Sequence, residues 1–212
     1  MVKQFITLCV CALMAVSAKA DLMSDVGALQ TGWAKAQYQL KDDPQEKAFL
    51  ALIQQAKQAT KTYPNAAEAW IWQGIIQSTY AGMASLFDQM DFVDGAKASL
   101  EKALKLDDKA MHGSAYTSIG VLYYKVPGWP LSFGDDDVAA KMLKKALTIN
   151  PNGIDSNYFY ADYLAEQDDY KQAKNFLLKA KAAPARPHRP IADEGRQREI
   201  AALLKTVNEE LR

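Results

Sequence analysis

Apolar residues recur along most of this chain at intervals of three, four and seven, the spacing of one face of a helix. Over residues 22–39, Leu22, Val26, Leu29, Trp33 and Ala36 form one stripe. Asp42-Asp43-Pro44 interrupts it, with Asp43 as an expected N-cap and Pro44 at the first helical position. The second helix is expected to run to about Thr62, where Tyr63-Pro64-Asn65 makes a turn. A third starts near Ala67 with Glu68 in its first turn, where the helix dipole favours an acid. The cleanest pattern lies at 155–184. Tyr160, Ala161 and Leu164 make one apolar cluster there, Tyr170, Ala173, Leu177 and Ala180 a second, and Pro184 ends it. A last amphipathic helix over about 192–211 carries Ile200, Leu203, Leu204, Val207 and Leu211 on one face. Its other face carries Arg196, Arg198, Glu199 and Glu209 and reads as solvated.

The pattern repeats. Tyr116, Ile119-Gly120 and Tyr123 precede Ala139, Leu143, Ala146 and Pro151; Trp70 and Gly74 precede Ala96, Leu100 and Ala103. In the second set Gln73 stands where the others have an apolar residue, and Asp108 where they have Pro. A weaker copy has Leu52, Ala56, Ala59 and Pro64, with Trp33 on the preceding helix. Ala residues seven apart (96/103, 139/146, 173/180) mark three second helices in one register. These residues resemble the tetratricopeptide repeat, a helix–turn–helix unit of about 34 residues. The resemblance covers about residues 24–184 and implies an all-α, TPR-like helical-hairpin solenoid, wound as a right-handed superhelix. Four helix pairs span 21–184, and 185–212 supply a Pro/Arg connector and a C-terminal capping helix. Ala139, Ala146, Ala173 and Ala180 should then be buried between helices.

Two repeats are too long. Against the fourth, the third carries about seven extra residues and the second about ten. Both excesses fall between first and second helices, at about 80–92 and 126–136. Adjacent repeats place such turns side by side, so the two insertions should bury their apolar residues against each other. The residues concerned are Met83, Leu86, Phe87, Met90 and Phe92 in one, and Trp129, Leu131 and Phe133 in the other.

Residues 1–20 read as a secretory signal peptide: Lys3, a short apolar run from Phe5 to Val16, and Ala18-Lys19-Ala20 before the cut. Cys9 and Cys11 lie inside it and neither sits in a lipobox. The expected mature chain begins at Asp21, contains no cysteine, and therefore has no disulfide, thiol nucleophile or zinc–cysteine site. The expected location is the periplasm of a Gram-negative bacterium, with no membrane insertion after cleavage. The 25 basic and 25 acidic residues lose Lys3 and Lys19 on cleavage, leaving a slightly acidic chain. That balance gives no support to nucleic-acid or anionic-membrane binding.

Candidate chemistry is sparse. Asp135-Asp136-Asp137 lacks the alternating ligands and distal Glu of an EF-hand and reads as a helix cap with acids in the first turn. The only histidines, His112 and His188, are far apart and read as surface residues. No catalytic, metal or cofactor site is expected, and the chain reads as a binding protein rather than an enzyme. The resemblance assigns a concave groove to first-helix positions. The candidates are Ile71 and Ile75; Thr117, Val121, Tyr124 and Lys125; and Tyr158, Asp162 and Glu166. Asp155 holds a further position of that groove. Groove tyrosines supply contact area with a polar tip, or else merely seal the superhelix. The insertion residues Met83, Phe87, Met90, Trp129, Leu131 and Phe133 form a second candidate surface. The loop around Trp129 reads either as an Ω-like plug of the core edge or as an aromatic lip. The expected partner is a protein or peptide, a second copy of the chain being one form of it. The rival reading is an accessory of a periplasmic solute transporter that binds a hydrophobic ligand. It rests on architectural similarity to the T-component of TRAP-type transporters.

Overall fold

The computed structural model describes the backbone of residues 2–212 and the side chains of 21–85 and 88–212. The side chains of residues 1–20, and those of Leu86 and Phe87, lie outside the described residues. Nine helices, and no strands, occur among the described residues: α1 Val2–Gln39, α2 Asp42–Thr62, α3 Ala67–Ala81, α4 Leu86–Leu106, α5 Ala110–Lys125, α6 Asp136–Ile149, α7 Ile154–Glu166, α8 Tyr170–Lys181 and α9 Pro190–Glu210. They pack as consecutive pairs, α1 on α2, α3 on α4, α5 on α6 and α7 on α8, and each pair contacts the next. This is an all-α helical-hairpin solenoid. No described helix is long and apolar enough to cross a membrane.

One residue pair repeats inside each hairpin and sets its close approach. A Cβ on Gly32 would lie 2.7 Å from Leu52 Cδ2, one on Gly74 2.5 Å from Leu100 Cγ, and one on Gly120 2.6 Å from Leu143 Cγ. Ala161 and Leu177 occupy the same places in the fourth pair, and both are fully buried. The Gly32–Leu52 contact puts the first pair in the same register as the others, although its sequence match is the weakest. Ala139, Ala146, Ala173 and Ala180 are all fully buried. Gly32, Gly74 and Gly120 each admit a leucine from the facing helix, which gives dense packing.

Gln73 finds a polar solution where its counterparts are apolar. The Thr60 hydroxyl donates to Gln73 Oε1 at 2.8 Å, and Gln73 Nε2 donates to Ser99 Oγ at 2.9 Å. All three side chains are buried, so the chain Thr60–Gln73–Ser99 ties α2, α3 and α4 together with its polar groups satisfied.

The two sequence insertions fold differently. Most of 80–92 is helix: α3 ends at Ala81, Ser85 caps α4, and the extra residues lengthen α4 by turns at its start. Residues 126–135 form a closed loop. Gly134 N–H donates to Pro127 O at 2.9 Å and Asp135 N–H to Tyr123 O at 2.9 Å. A Cβ on Gly134 would stand 1.9 Å from Val126 O, so only glycine allows the loop ends to meet. Asp135 then caps α6, its carboxylate accepting from Val138 N–H at 3.0 Å, with Asp136 and Asp137 in the first turn. At the start of α5, Met111, His112 and Gly113 have left-handed backbone and kink the helix there.

Candidate binding groove and the helix that crosses it

The C-terminal helix does more than cover the last repeat. It packs on α7 and α8 and also reaches α1. Its second half supplies Ile200 and Val207 to the core around α7 and α8. Its first half supplies Ala192, with Ile191 beside it, to the core of α1–α3. At Gly195 it crosses α1 so closely that a Cβ would lie 2.4 Å from the Tyr38 ring. The solenoid is therefore closed by a helix running from its last repeat back to its first.

Sequence periodicity places Arg196 on a solvated face; the structure buries it against α1 and α7. Ile200, Leu203, Leu204 and Val207 of the apolar stripe face α7 and α8, while Leu211 is exposed. The polar flank beside the stripe meets α1 and the face of α7 that carries Asp155 and Tyr158. The Arg196 guanidinium lies 4.4 Å from the ring centres of both Tyr158 and Phe159. Its Nε donates to Asp155 Oδ1 at 3.0 Å, and its Nη1 donates to Glu199. The Tyr38 hydroxyl donates to Glu199 from the other side at 3.3 Å. The Pro/Arg connector closes as a turn, with Arg189 N–H donating to Arg186 O at 2.9 Å. Arg186 Nη1 donates to Asp155 Oδ2 at 2.6 Å and its Nε to Asp193 Oδ1 at 2.6 Å. Burial pushes the Asp155 carboxyl up, but Arg196, Arg186 and Arg189 outweigh it and hold the group well below the usual carboxylate range. Burial also drives the Tyr158 hydroxyl up to about 12, against the opposing pull of Arg196.

Beyond α9 the candidate groove residues divide into core and rim. Ile71 is fully buried and Thr117 and Tyr124 are buried; Ile75 and Val121 are half-buried against the same cores. The Tyr124 hydroxyl donates to Asp162 Oδ2 at 2.8 Å. Burial and then Asp162 raise that hydroxyl far above the ordinary tyrosine value. Lys125 Nζ pairs with Asp162 Oδ2 at 2.9 Å and also with Glu166, joining α5 to α7. Lys125 and Glu166 keep 45% and 41% of their side chains exposed, so the reachable part of the groove is a charged rim. Tyr158 lies under Arg196.

The insertion residues also part company. Phe133 packs edge-on against Tyr123, ring centres 5.2 Å apart, under Lys97 Nζ. Met90 and Phe92 adjoin the same core. Trp129 and Leu131, expected to be buried against the other insertion, are instead 90% and 79% exposed. The loop closes on its own backbone and anchors through Phe133, so its tip projects outward. Met83 is exposed at the end of α3.

A separate open depression of about 360 Å³ lies between α6, α7 and α8, with Asn157, Tyr160 and Phe176 among its walls and Lys144 and Lys179 beside them. Among the described residues no three His, Cys, Asp or Glu side chains are grouped so as to hold a metal ion.

Together these features define a class: a tetratricopeptide-like solenoid of four helix pairs, closed by a C-terminal helix and carrying one projecting aromatic loop. No family model matches the chain, and no curated protein does. Among solved structures it is similar to MamA in two crystal structures. The first has a TM-score of 0.45 and 18% identity over 81% of this chain and 95% of that one. The second has a TM-score of 0.45 and 16% identity over 88% and 92%. A structure of Pseudomonas aeruginosa pilF has a TM-score of 0.37 and 15% identity over 90% and 93%.

Proposed function

We propose that this chain is an exported scaffold that binds a protein partner through the projecting loop and the charged rim of the groove. The observation that carries this reading is the pair Trp129 and Leu131, held out from a loop whose ends are fixed by backbone hydrogen bonds. A stiff, exposed aromatic loses little entropy on binding, and tryptophan is among the strongest anchors at interfaces. The run Asp135–Asp137, exposed just behind the tip, sets the partner's chemistry: an apolar pocket for the indole with basic side chains around it. The same acids disfavour an anionic lipid surface as the target. Export rests on the character of residues 1–20, and cleavage after Ala20 would release a chain beginning at Asp21 into the periplasm.

The test has two arms. Intact-mass measurement of protein recovered from the periplasm should give a chain starting at Asp21; retained Met1 or an added lipid mass refutes the export reading. A complex captured by the parent chain should be lost with Trp129→Ala/Leu131→Ser at unchanged Tm. Capture of the same complex by the double variant would rule out the loop as the docking element.

A further inference from the structure

We propose that the junction of the connector with α1, α3 and α7 is a binding site for a small oxyanion, carboxylate or phosphate, held by Arg189 and Arg186 at the N-terminus of α9. The inference is independent of the docking reading, since it concerns other residues on another part of the solenoid. Three observations meet here. Arg189 has no acidic partner within ion-pair distance among the described residues, and its Nε is buried without an acceptor. Its guanidinium lies 5.2 Å from the ring centre of Trp72, which fixes it as a flat donor group. Arg186 spends Nε and Nη1 on Asp193 and Asp155, while its Nη2 is buried with no acceptor.

Buried donors are nearly always satisfied, and leaving one bare costs about 1–3 kcal/mol, more when it is charged. The two guanidinium orphans, Arg186 Nη2 and Arg189 Nε, are donors, so what completes them is an acceptor, and their charge selects an anion. Arg189 is also the N-cap of α9, where the helix dipole favours negative charge, although Pro190 supplies no N–H and Asp193 already stands in the first turn. Asp155, Asp193 and Glu199 are the opposing charges. Asp155 is shared by Arg186 and Arg196, Asp193 is held by Arg186, and Glu199 by Arg196 and Tyr38. Arg189 is left as the cation with capacity for a ligand. Burial and the neighbouring Arg186 both oppose its charge, a cost that a bound anion removes.

The experiment titrates the chain with inorganic phosphate and, separately, with succinate, chloride holding ionic strength constant. Binding is read by calorimetry and by the shift in Tm. At least one anion should bind saturably. Arg189→Gln should weaken it about tenfold or more, the loss expected for hydrogen bonds to a charged group. Arg212→Gln, at the far end of the chain, should bind like the parent. Preference for phosphate assigns a phosphoryl group, preference for succinate a carboxylate. Arg189→Lys, which keeps the charge but not the planar donors, should bind more weakly than the parent and serves if the Gln variant does not fold. Absence of saturable binding by both anions, or parent-like affinity in either Arg189 variant, overturns the proposal.

Discussion

The inside of the hairpins and the seam where α9 closes the solenoid are both close helix crossings, built from opposite materials. Within the hairpins a glycine faces a leucine: Gly32 with Leu52, Gly74 with Leu100 and Gly120 with Leu143. At the seam Gly195 faces the aromatic ring of Tyr38, and the surroundings are Arg186, Arg196, Asp155, Asp193 and Glu199. Apolar packing is insensitive to salt and pH. An ion network in a half-buried seam is sensitive to both, and its net contribution is small because desolvation offsets attraction. The solenoid should therefore have a robust repeat interior and a conditional closure.

The largest expected effect is in the interior. Leu143→Ala removes a fully buried side chain that fills the space above Gly120 and should cost about 2–5 kcal/mol. Denaturant unfolding of the whole chain measures it. Next comes the seam. Arg196→Ala leaves Asp155 and Glu199 in the seam without that cation and should cost about 2–4 kcal/mol. Its damage should be confined to α9 and its contacts, visible as a separate early phase of unfolding.

The pH dependence of the seam follows from Asp155. Its folded pKa lies below the unfolded value of about 3.9, so its stabilising contribution is complete above about pH 4 and is lost as pH falls through the folded pKa. Asp155→Asn should be less stable than the parent at pH 7, and the gap should shrink as the pH is lowered below about 4. Thermal melts across pH 2–7 provide the comparison; a gap that stays constant would deny the ion pairs their role. The smallest effect is at the loop tip. Trp129→Ala should change stability by no more than about 0.5 kcal/mol, because the indole is 90% exposed.

The two regions also differ in how far they could be read from the amino-acid sequence. Helix periodicity and the Ala-seven-Ala spacing reveal the repeat, because each hairpin is local and its packing residues recur. Gly74 and Gly120 announce their leucine partners in the same way. The seam has no such signal. Ile200 and Val207 show that α9 is amphipathic, but nothing periodic tells that Arg196 meets Asp155 from 41 positions away. A charged residue on the edge of a polar face reads as solvated until its partner is known. Gly195 and the three arginines of the segment 186–196 were the available hints: a helix-interior glycine weakens a helix, so it points to a close crossing. The excess at 80–92 shows the converse limit, since spacing counts extra residues without revealing that they continue α4 as helix. The loop at 126–136 was visible as an aromatic, Pro- and Gly-rich departure. The outward direction of its tip depends on the backbone contacts of Gly128 and Gly134, which composition does not encode.

Hydrogen–deuterium exchange on the chain and on Arg196→Gln, at low and high salt, tests the conditional closure most directly. The account predicts that amides of α9 exchange sooner than those of α3–α6 and lose further protection in salt or in the variant, while α3–α6 stay unchanged. Exchange of α9 in step with α3–α6, indifferent to both salt and the substitution, would contradict it.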